Sequence, residues 1–283
     1  MLDTVLLAVA ASLCWGTADF TAGLKARTVP LAVVLLVSQG VGLTLSGVIV
    51  AASDRSLPSV AQELAGLGAG AGGIAGLACF YRALATGTMS VVAPIAATGV
   101  VIPVLAGVLG GDHLAPVQVL GMLFAVAGVV LSSRHPDPDR TSLDRRLHRR
   151  VVGLALLAAV GFGSYFLLAH TAARGGVGWL LLNAHITTVL GVLVAGIAVR
   201  STLRVPHARE LGVIALAGAL DLAATGLYGL ANRHGQLSIV AVAGSLYPVA
   251  TVLLARSILS ERVARLQALG ISLALGGVAL IAA

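Results

Sequence analysis

The stretch Gly111–Leu131, GDHLAPVQVLGMLFAVAGVVL, returns near the end of the chain as Ser260–Leu280, SERVARLQALGISLALGGVAL. Four matched pairs lie 149 positions apart, namely Asp112 with Glu261, Gln118 with Gln267, Gly121 with Gly270 and Gly128 with Gly277. Matches of Ala, Val and Leu alone would mean little among apolar helices, but here acidic, amide and glycine positions also repeat. The pattern indicates an internal duplication.

Other segments extend this duplication over most of the chain. ASLCWGTADF aligns with AAVGFGSYFL and places Gly16 over Gly163, 147 positions apart. SVVAPIAATG aligns with SIVAVAGSLY and places Ser90 over Ser238. The sequence therefore predicts two repeats and an arginine-rich linker loop between them. Their predicted bounds are 1–133 for the first repeat, 134–150 for the linker and 151–283 for the second repeat.

The composition predicts an integral membrane protein. The chain has 283 residues, of which 58% are hydrophobic and 10% charged, and its mean hydropathy is +1.00. Soluble domains carry about 25% charged residues, and a soluble fold of this size has no place to bury so much apolar surface. The net charge of +7 does not indicate nucleic-acid binding, because the arginines lie in short loops between apolar runs. Cys14 and Cys79 lie inside apolar runs and are interpreted as packing residues.

Ten apolar runs are long enough, or nearly so, to cross a bilayer, which takes about 20 helical residues. They are predicted at 4–24, 30–52, 62–85, 90–109, 116–133, 151–172, 177–199, 210–231, 237–258 and 264–282. Lipid offers backbone groups no hydrogen-bond partner, and the alternation of a membrane barrel is missing, so all ten are expected to be helices. The predicted fold is all-α, with ten transmembrane helices in two five-helix repeats.

An odd number of spans per repeat makes the second repeat enter the membrane in the opposite sense. Such inverted repeats are a recurring architecture of secondary transporters, whose solute site lies near mid-membrane between the halves. The basic residues favour one side by fifteen to three, with only Arg55, Arg174 and Arg233 on the other side. Because basic loops stay in the cytoplasm, both termini are expected outside the cell.

These features resemble the drug/metabolite transporter superfamily, and more closely its EamA-type members. The resemblance rests on two five-helix repeats, on a Trp-Gly pair early in the first span, and on a proline-containing helix that leads to a short acidic turn. That turn reads Gly111-Asp112 in the first half and Ser260-Glu261 in the second. The resemblance covers essentially the whole chain, and it implies transport of a small organic solute such as an amino acid, a metabolite or a drug.

Two carboxylates inside apolar runs are the first candidates for the transport pathway. A charge at mid-bilayer costs at least about 2.5–3.5 kcal/mol, so such residues face the bundle interior. Asp221 shares a helical face with Thr225 and Tyr228, and it suits either a coupling proton or a cationic solute. Asp19 lies one turn from the end of the first run, where it either lines the pathway or forms a structural ion pair with Arg82.

The remaining candidates are polar, aromatic and proline positions in the spans. Mid-span amide and imidazole groups suit a solute site between the repeats, and three aromatic rings suit stacking, although both sets are equally compatible with ordinary packing. Prolines inside helices free backbone carbonyls and permit hinges. These positions are Gln39, Asn183 and His185; Trp15, Tyr81 and Tyr228; and Pro94, Pro103 and Pro248.

The glycine-rich run at 66–78 lacks the ending of a phosphate-binding loop, and its small-xxx-small spacing favours close helix packing. The expected function is therefore secondary transport of a small organic solute, with efflux and proton coupling as further expectations. The protein would be a multi-pass protein of the cytoplasmic (inner) membrane, surrounded by lipid and without a cofactor or metal. An intramembrane enzyme is disfavoured because protease and hydrolase motifs are missing. A passive channel or scaffold is disfavoured by the duplication.

Overall fold

A computed structural model describes residues 2–53, 57–87, 89–132, 142–198, 206–259 and 265–282, and every regular element in these ranges is a helix. The first half contains α1 Leu2–Lys25, α2 Leu31–Ala51, α3 Val60–Thr86, α4 Met89–Ala97, a 3-10 turn Thr98–Val100, α5 Val101–Leu109 and α6 Pro116–Ser132. The second half contains α7 Ser142–Arg174, α8 Val177–Ala198, α9 Ala208–His234, α10 Leu237–Gly244, α11 Tyr247–Leu259 and α12 Arg265–Ala282.

The helices follow the predicted apolar runs, although not all of them have the length of a full span. Within the described ranges, seven helical segments are long and apolar enough to cross a membrane, and α10 with α11 counts as one of these. Ile95–Leu109 and Pro116–Gly128 are shorter apolar helices. Side chains such as Leu109 and Ile197 are largely exposed on the outer surface, as expected for a surface that contacts lipid.

One expectation about the linker is wrong in part. Residues 142–150 were expected to be loop, but α7 begins at Ser142 and runs without interruption to Arg174. The segment SLDRRLHRR is rich in leucine and arginine, which are good helix formers. Hydropathy marks where a helix enters lipid, and it does not mark where the helix begins.

The fourth apolar run of each half is broken at an equivalent place. The first break separates α4 from α5 through the 3-10 turn, and the second separates α10 from α11. Pro103 has no N–H to donate to the carbonyl of Gly99, and Pro248 has none to donate to the carbonyl of Gly244. Both prolines therefore interrupt the helical ladder at a glycine four residues upstream. Pro94 lies within α4, away from the break.

The most extensive helix contacts join one half of the chain to the other. The extensive pairs α1–α9, α3–α7, α2–α8 and α6–α12 each join one half to the other. A Cβ on Gly16 would meet the carbonyl oxygen of Tyr247, and a Cβ on Gly163 would meet that of Gly99. Each of these duplicated glycines thus lets the first long helix of its own half rest directly on the break of the other half.

The glycine-rich face of α3 packs closely, as the small-xxx-small spacing predicts. A Cβ on Gly72 would lie 2.9 Å from the carbonyl oxygen of Gly161, and one on Gly76 would lie 2.6 Å from the ring of Phe162. On the neighbouring side, Gly66 contacts Asn183 of α8. The absence of side chains at these positions brings α3 into contact with α7 and α8, which bound the central cavity.

Candidate functional site

A cavity lies at the centre of the bundle, between the two halves, and its wall combines apolar, aromatic and polar side chains. It encloses about 580 Å³ together with its opening. Helices α1, α2 and α3 of the first half and α7, α8, α9 and α11 of the second contribute to its wall. The lining residues are Trp15, Asp19, Gln39, Gly70, Gly73, Leu77, Phe162, Tyr165, Phe166, Ala184, His185, Thr188, Asp221, Thr225 and Tyr247.

Asp221 is the centre of a polar cluster on one side of this cavity. Its Oδ2 accepts a hydrogen bond of 3.1 Å from Nε2 of Gln39, and it lies 3.7 Å from Nε2 of His185. The Nδ1 of His185 lies 2.7 Å from the carbonyl oxygen of Leu181, which can only accept, so this nitrogen carries a proton. In neutral His185 the Nε2 lone pair then faces a carboxylate oxygen. At 3.7 Å the two groups are close enough for an ion pair but too far apart for a hydrogen bond.

Gln39 and His185 lie 146 positions apart, at equivalent places in the two repeats, and both side chains reach Asp221. Gln39 lies on α2 and His185 on α8, and α2 packs against α8 across the two halves. Both side chains are buried at 3% exposure and both approach the same carboxylate oxygen. The sequence predicts a polar site between equivalent helices, and the structure brings these two residues together at Asp221.

Asp19 occupies a second polar position in the cavity wall. It is buried, and its Oδ1 accepts a hydrogen bond of 3.3 Å from the Tyr81 hydroxyl. Asp19 and Asp221 lie close enough to interact electrostatically, and Asp19 interacts in the same way with Tyr247. The structure does not bring Asp19 to Arg82. Arg82 is exposed, and the phenol of Tyr81, one residue earlier on α3, takes the place of the expected ion pair.

Aromatic rings form the apolar part of the wall. The ring centroid of Trp15 lies 6.0 Å from that of Tyr165 and 5.6 Å from that of Phe166, both in edge-on geometry. Tyr228 is fully buried, and its ring centroid lies 5.4 Å from that of Trp15. Its hydroxyl donates to the carbonyl oxygen of Phe166. Tyr228 thus supports the wall from behind, whereas Trp15 lines the cavity.

The chain matches the EamA-like transporter family over residues 3–134 and 149–283. It belongs to that family. The two matched ranges are the two repeats of this architecture, and the chain is accordingly a multi-pass membrane protein of a transporter family. A solved structure titled only "Crystal structure of protein" is 19% identical with a TM-score of 0.75, over 98% of this chain and 97% of that one. That likeness shows the fold alone. No curated protein matches the chain.

The other predicted residues of this EamA-like transporter occupy different places. Thr225 lines the cavity, and its hydroxyl oxygen accepts a hydrogen bond of 3.1 Å from Tyr165. Asn183 lies outside the cavity wall and packs against Gly66. Tyr81 also lies outside the wall and acts through its hydrogen bond to Asp19.

Sequence reasoning missed part of the aromatic wall of this transporter. Phe162 takes the place of Trp15 in the repeat alignment, since CWG in the first half corresponds to GFG in the second. That correspondence is a signal that identifies Phe162. Tyr165 and Phe166 follow on the same helix, but Tyr247 reaches the cavity only because the chain breaks just before it. The apolar residues alone do not indicate this break, whereas the spacing of proline and glycine does.

A second polar contact joins the halves away from the cavity. Asp112 Oδ2 accepts hydrogen bonds from the backbone N–H of Ser238 at 2.9 Å and from its hydroxyl at 2.7 Å. Nearby, Nε2 of Gln236 donates to the carbonyl oxygen of His113. Gly111, with a φ of +99°, makes the turn that lets Asp112 reach the first turn of α10.

Proposed function

We propose that this protein is a secondary transporter that carries a small organic solute across the cytoplasmic membrane by alternating access. The observation that carries the proposal is the cavity at the centre of the bundle, with walls supplied by both halves of the duplication. Polar groups at this depth are costly in a membrane protein, and they mark solute or ion pathways. Membership of the EamA-like transporter family supports the same function at a coarser level.

Alternating access requires two equivalent gates around one site, and the duplication supplies two sets of equivalent parts. We place ten spans in two five-helix repeats of opposite sense. The helix contacts support this arrangement. The helix α1 packs against α9, and their counterparts in the other repeats, α7 and α3, pack against each other. The breaks at Gly99 and Gly244 provide each half with one bend close to the other half. Broken helices at the solute site are a recurring device of secondary transporters.

The proposed orientation in the membrane rests on the charge distribution. The basic residues concentrate in the loops that follow odd-numbered spans, which places those loops in the cytoplasm and both termini outside. Efflux is the direction we propose. We propose protons as the coupling ion, because Asp221 and the imidazole of His185 face each other in the cavity wall and both side chains are able to bind a proton.

Reconstituted proteoliposomes test this function. A panel of labelled amino acids, amines and organic acids is assayed for flux under an imposed pH gradient, with wild type compared to Asp221→Asn. Glu210→Gln is the control, because Glu210 lies outside the cavity, paired with Lys25 at 3.7 Å. Flux that saturates with concentration, and that Asp221→Asn alone uncouples from the pH gradient, supports the proposal. Flux that stays linear with concentration indicates a pore, and chemical conversion of a solute indicates an enzyme.

A further inference from the structure

The charges of the cavity select the kind of solute that it accepts. Of the described residues that line the cavity, Asp19 and Asp221 are acidic, His185 is the one titratable base, and none is lysine or arginine. Among the described residues, no lysine or arginine nitrogen lies within 4.0 Å of either carboxylate. His185 is the basic side chain that faces Asp221, with its Nε2 3.7 Å from Oδ2. Asp19 is then the carboxyl group of the described wall without a basic partner, and a bound cation would stabilise its ionised form.

The hydrogen bonds of Asp19 leave most of its acceptor positions without a donor. A carboxylate has about four acceptor positions, whereas Asp19 accepts one bond, from the neutral hydroxyl of Tyr81 at 3.3 Å. Asp19 is 6% exposed, so bulk water does not replace the missing donors. A buried carboxylate is costly unless a cation or further donors compensate it.

A second, independent group points into the same space. Tyr247 lines the cavity and is 3% exposed, yet its hydroxyl has no hydrogen-bond partner among the described residues. A buried hydroxyl without a partner is rare in folded proteins, and it indicates a group that binds there. Tyr247 and Asp19 both line this cavity, so a solute that binds there meets both groups.

The aromatic wall determines the rest of the solute. Trp15, Phe162 and Phe166 line the cavity beside Asp19, and an indole face attracts a cation that comes within about 6 Å. The same faces accept an apolar or aromatic body. A protonated primary amine matches all three features of the cavity. Its charge suits the carboxylate, its N–H groups are able to donate to the free hydroxyl, and its hydrocarbon part is able to pack against the rings.

We propose that the solute is a monovalent organic cation, with a primary ammonium group that donates to Asp19 and Tyr247 and an aromatic or apolar body that packs against the wall at Trp15. This inference rests on the proposed transport function for its physiological meaning, but it concerns binding and is testable without transport. Solutes with a net negative charge are excluded by Asp19, since the described cavity wall offers no lysine or arginine to neutralise them.

Binding of three matched probes tests the inference directly. The chain has two tryptophans, so Trp179→Phe leaves Trp15 as the only indole, positioned in the cavity. The purified full-length variant in detergent is titrated at pH 7 with phenethylamine, 2-phenylethanol and phenylacetate while Trp15 fluorescence is recorded. The three probes share a phenyl ring and differ in charge. We expect the amine to bind at least about tenfold more tightly than the alcohol or the acid, because only the amine is able to donate a charged hydrogen bond to Asp19.

Two variants locate the ammonium group. Asp19→Asn is expected to weaken the amine at least about tenfold and to leave the alcohol unchanged, and Tyr247→Phe is expected to weaken the amine several-fold. Glu63→Gln is the control for loss of an acid, because Glu63 lies in the first turn of α3, outside the cavity. If Asp19→Asn does not fold, the comparison of the three probes on the Trp179→Phe protein decides alone.

The results that overturn this inference differ from those that overturn the transport proposal. Equal affinity for the alcohol and the amine, tighter binding of phenylacetate, or unchanged amine affinity in a folded Asp19→Asn variant overturns the assignment of a cation. Saturable flux of an uncharged solute without amine binding leaves the carrier intact and overturns this inference alone. Selective amine binding with no saturable flux of any solute supports this inference and overturns the carrier.

Discussion

Asp112 of the first half caps a helix of the second half, because its Oδ2 accepts hydrogen bonds from both the backbone N–H and the hydroxyl of Ser238. Ser238 is fully buried in the first turn of α10, where backbone N–H groups lack partners within the helix. A carboxylate at this position also interacts favourably with the helix dipole. The contact therefore fastens the loop after α5 to the helix that enters the second break.

Removal of this cap is expected to destabilise the protein. Asp112→Ala loses both hydrogen bonds and leaves the N–H of Ser238 buried without a partner, at a cost of about 1–2 kcal/mol. Thermal unfolding of the purified protein in detergent measures the effect. His113→Ala is the matched control, because His113 contributes its backbone carbonyl and its side chain is exposed. Equal melting temperatures for Asp112→Ala and His113→Ala would contradict the capping role.

The contact between His185 and Asp221 predicts that His185 is needed to couple solute transport to a pH gradient. His185 Nε2 lies 3.7 Å from Asp221 Oδ2, and Asp19, Tyr81 and Tyr165 are the other titratable groups that interact electrostatically with Asp221. His185→Gln keeps a neutral polar side chain but removes the base. We expect this variant to exchange solute across the membrane and to lose accumulation driven by a pH gradient.

His170→Gln is the control for loss of a histidine away from the cavity. His170 bridges Asn232 and Arg174 near the end of α7, and it is not part of the cavity wall. Solute flux in proteoliposomes, measured with and without a pH gradient, compares the two variants. Retention of gradient-driven accumulation by His185→Gln would remove this residue from the coupling mechanism.

Pro248 maintains the break between α10 and α11. Pro248→Ala restores an N–H that is able to donate to the carbonyl of Gly244, and this favours a continuous helix. If the break serves as a hinge, Pro248→Ala slows transport and leaves solute affinity unchanged. Flux and binding are measured on the same preparation. Pro116→Ala is the control, since a proline at the first position of α6 removes no helical hydrogen bond. Wild-type transport rates in Pro248→Ala would count against the hinge.

A pair of glycines on α7 tests the close approach of α3. A Cβ on Gly161 would lie 2.6 Å from the backbone nitrogen of Gly76 and 2.7 Å from the carbonyl oxygen of Gly72, whereas a Cβ on Gly153 would meet nothing within 4 Å. Gly161→Ala must therefore separate two backbones, and overpacking of this kind costs about 1–3 kcal/mol. Gly153→Ala is expected to be neutral or slightly stabilising, because alanine is the better helix former. Thermal unfolding that ranks the two variants equally would contradict the account of this interface.

The sequence predicts the class of fold well and the details of the site only in part. Hydropathy identifies the helical runs because lipid leaves the backbone no alternative, and the repeated polar positions identify two halves. The predicted proximity of Gln39 and His185 follows from their equivalent places in the repeats, and the structure brings both to Asp221.

Other features depend on three-dimensional information that one sequence does not contain. Tyr81 rather than Arg82 reaches Asp19, because adjacent residues on a helix point about 100° apart and the rotation of α3 decides between them. Tyr247 enters the wall through a break between two helices, and the partner of Asp112 lies in a helix that begins 125 residues later in the chain. The start of α7 at Ser142 lies in a charged segment, where hydropathy carries no helix signal.

Counterflow in proteoliposomes tests most directly the central claim that one cavity opens alternately to either side. Vesicles loaded with a high concentration of an unlabelled solute that the protein transports are diluted into a trace of the same solute in labelled form, without any ion gradient. A carrier that alternates is expected to take up label transiently above its external concentration, because exiting solute returns binding sites to the outside. Uptake that rises only to equilibrium, at a rate proportional to concentration and unaffected by the internal solute, would contradict the account.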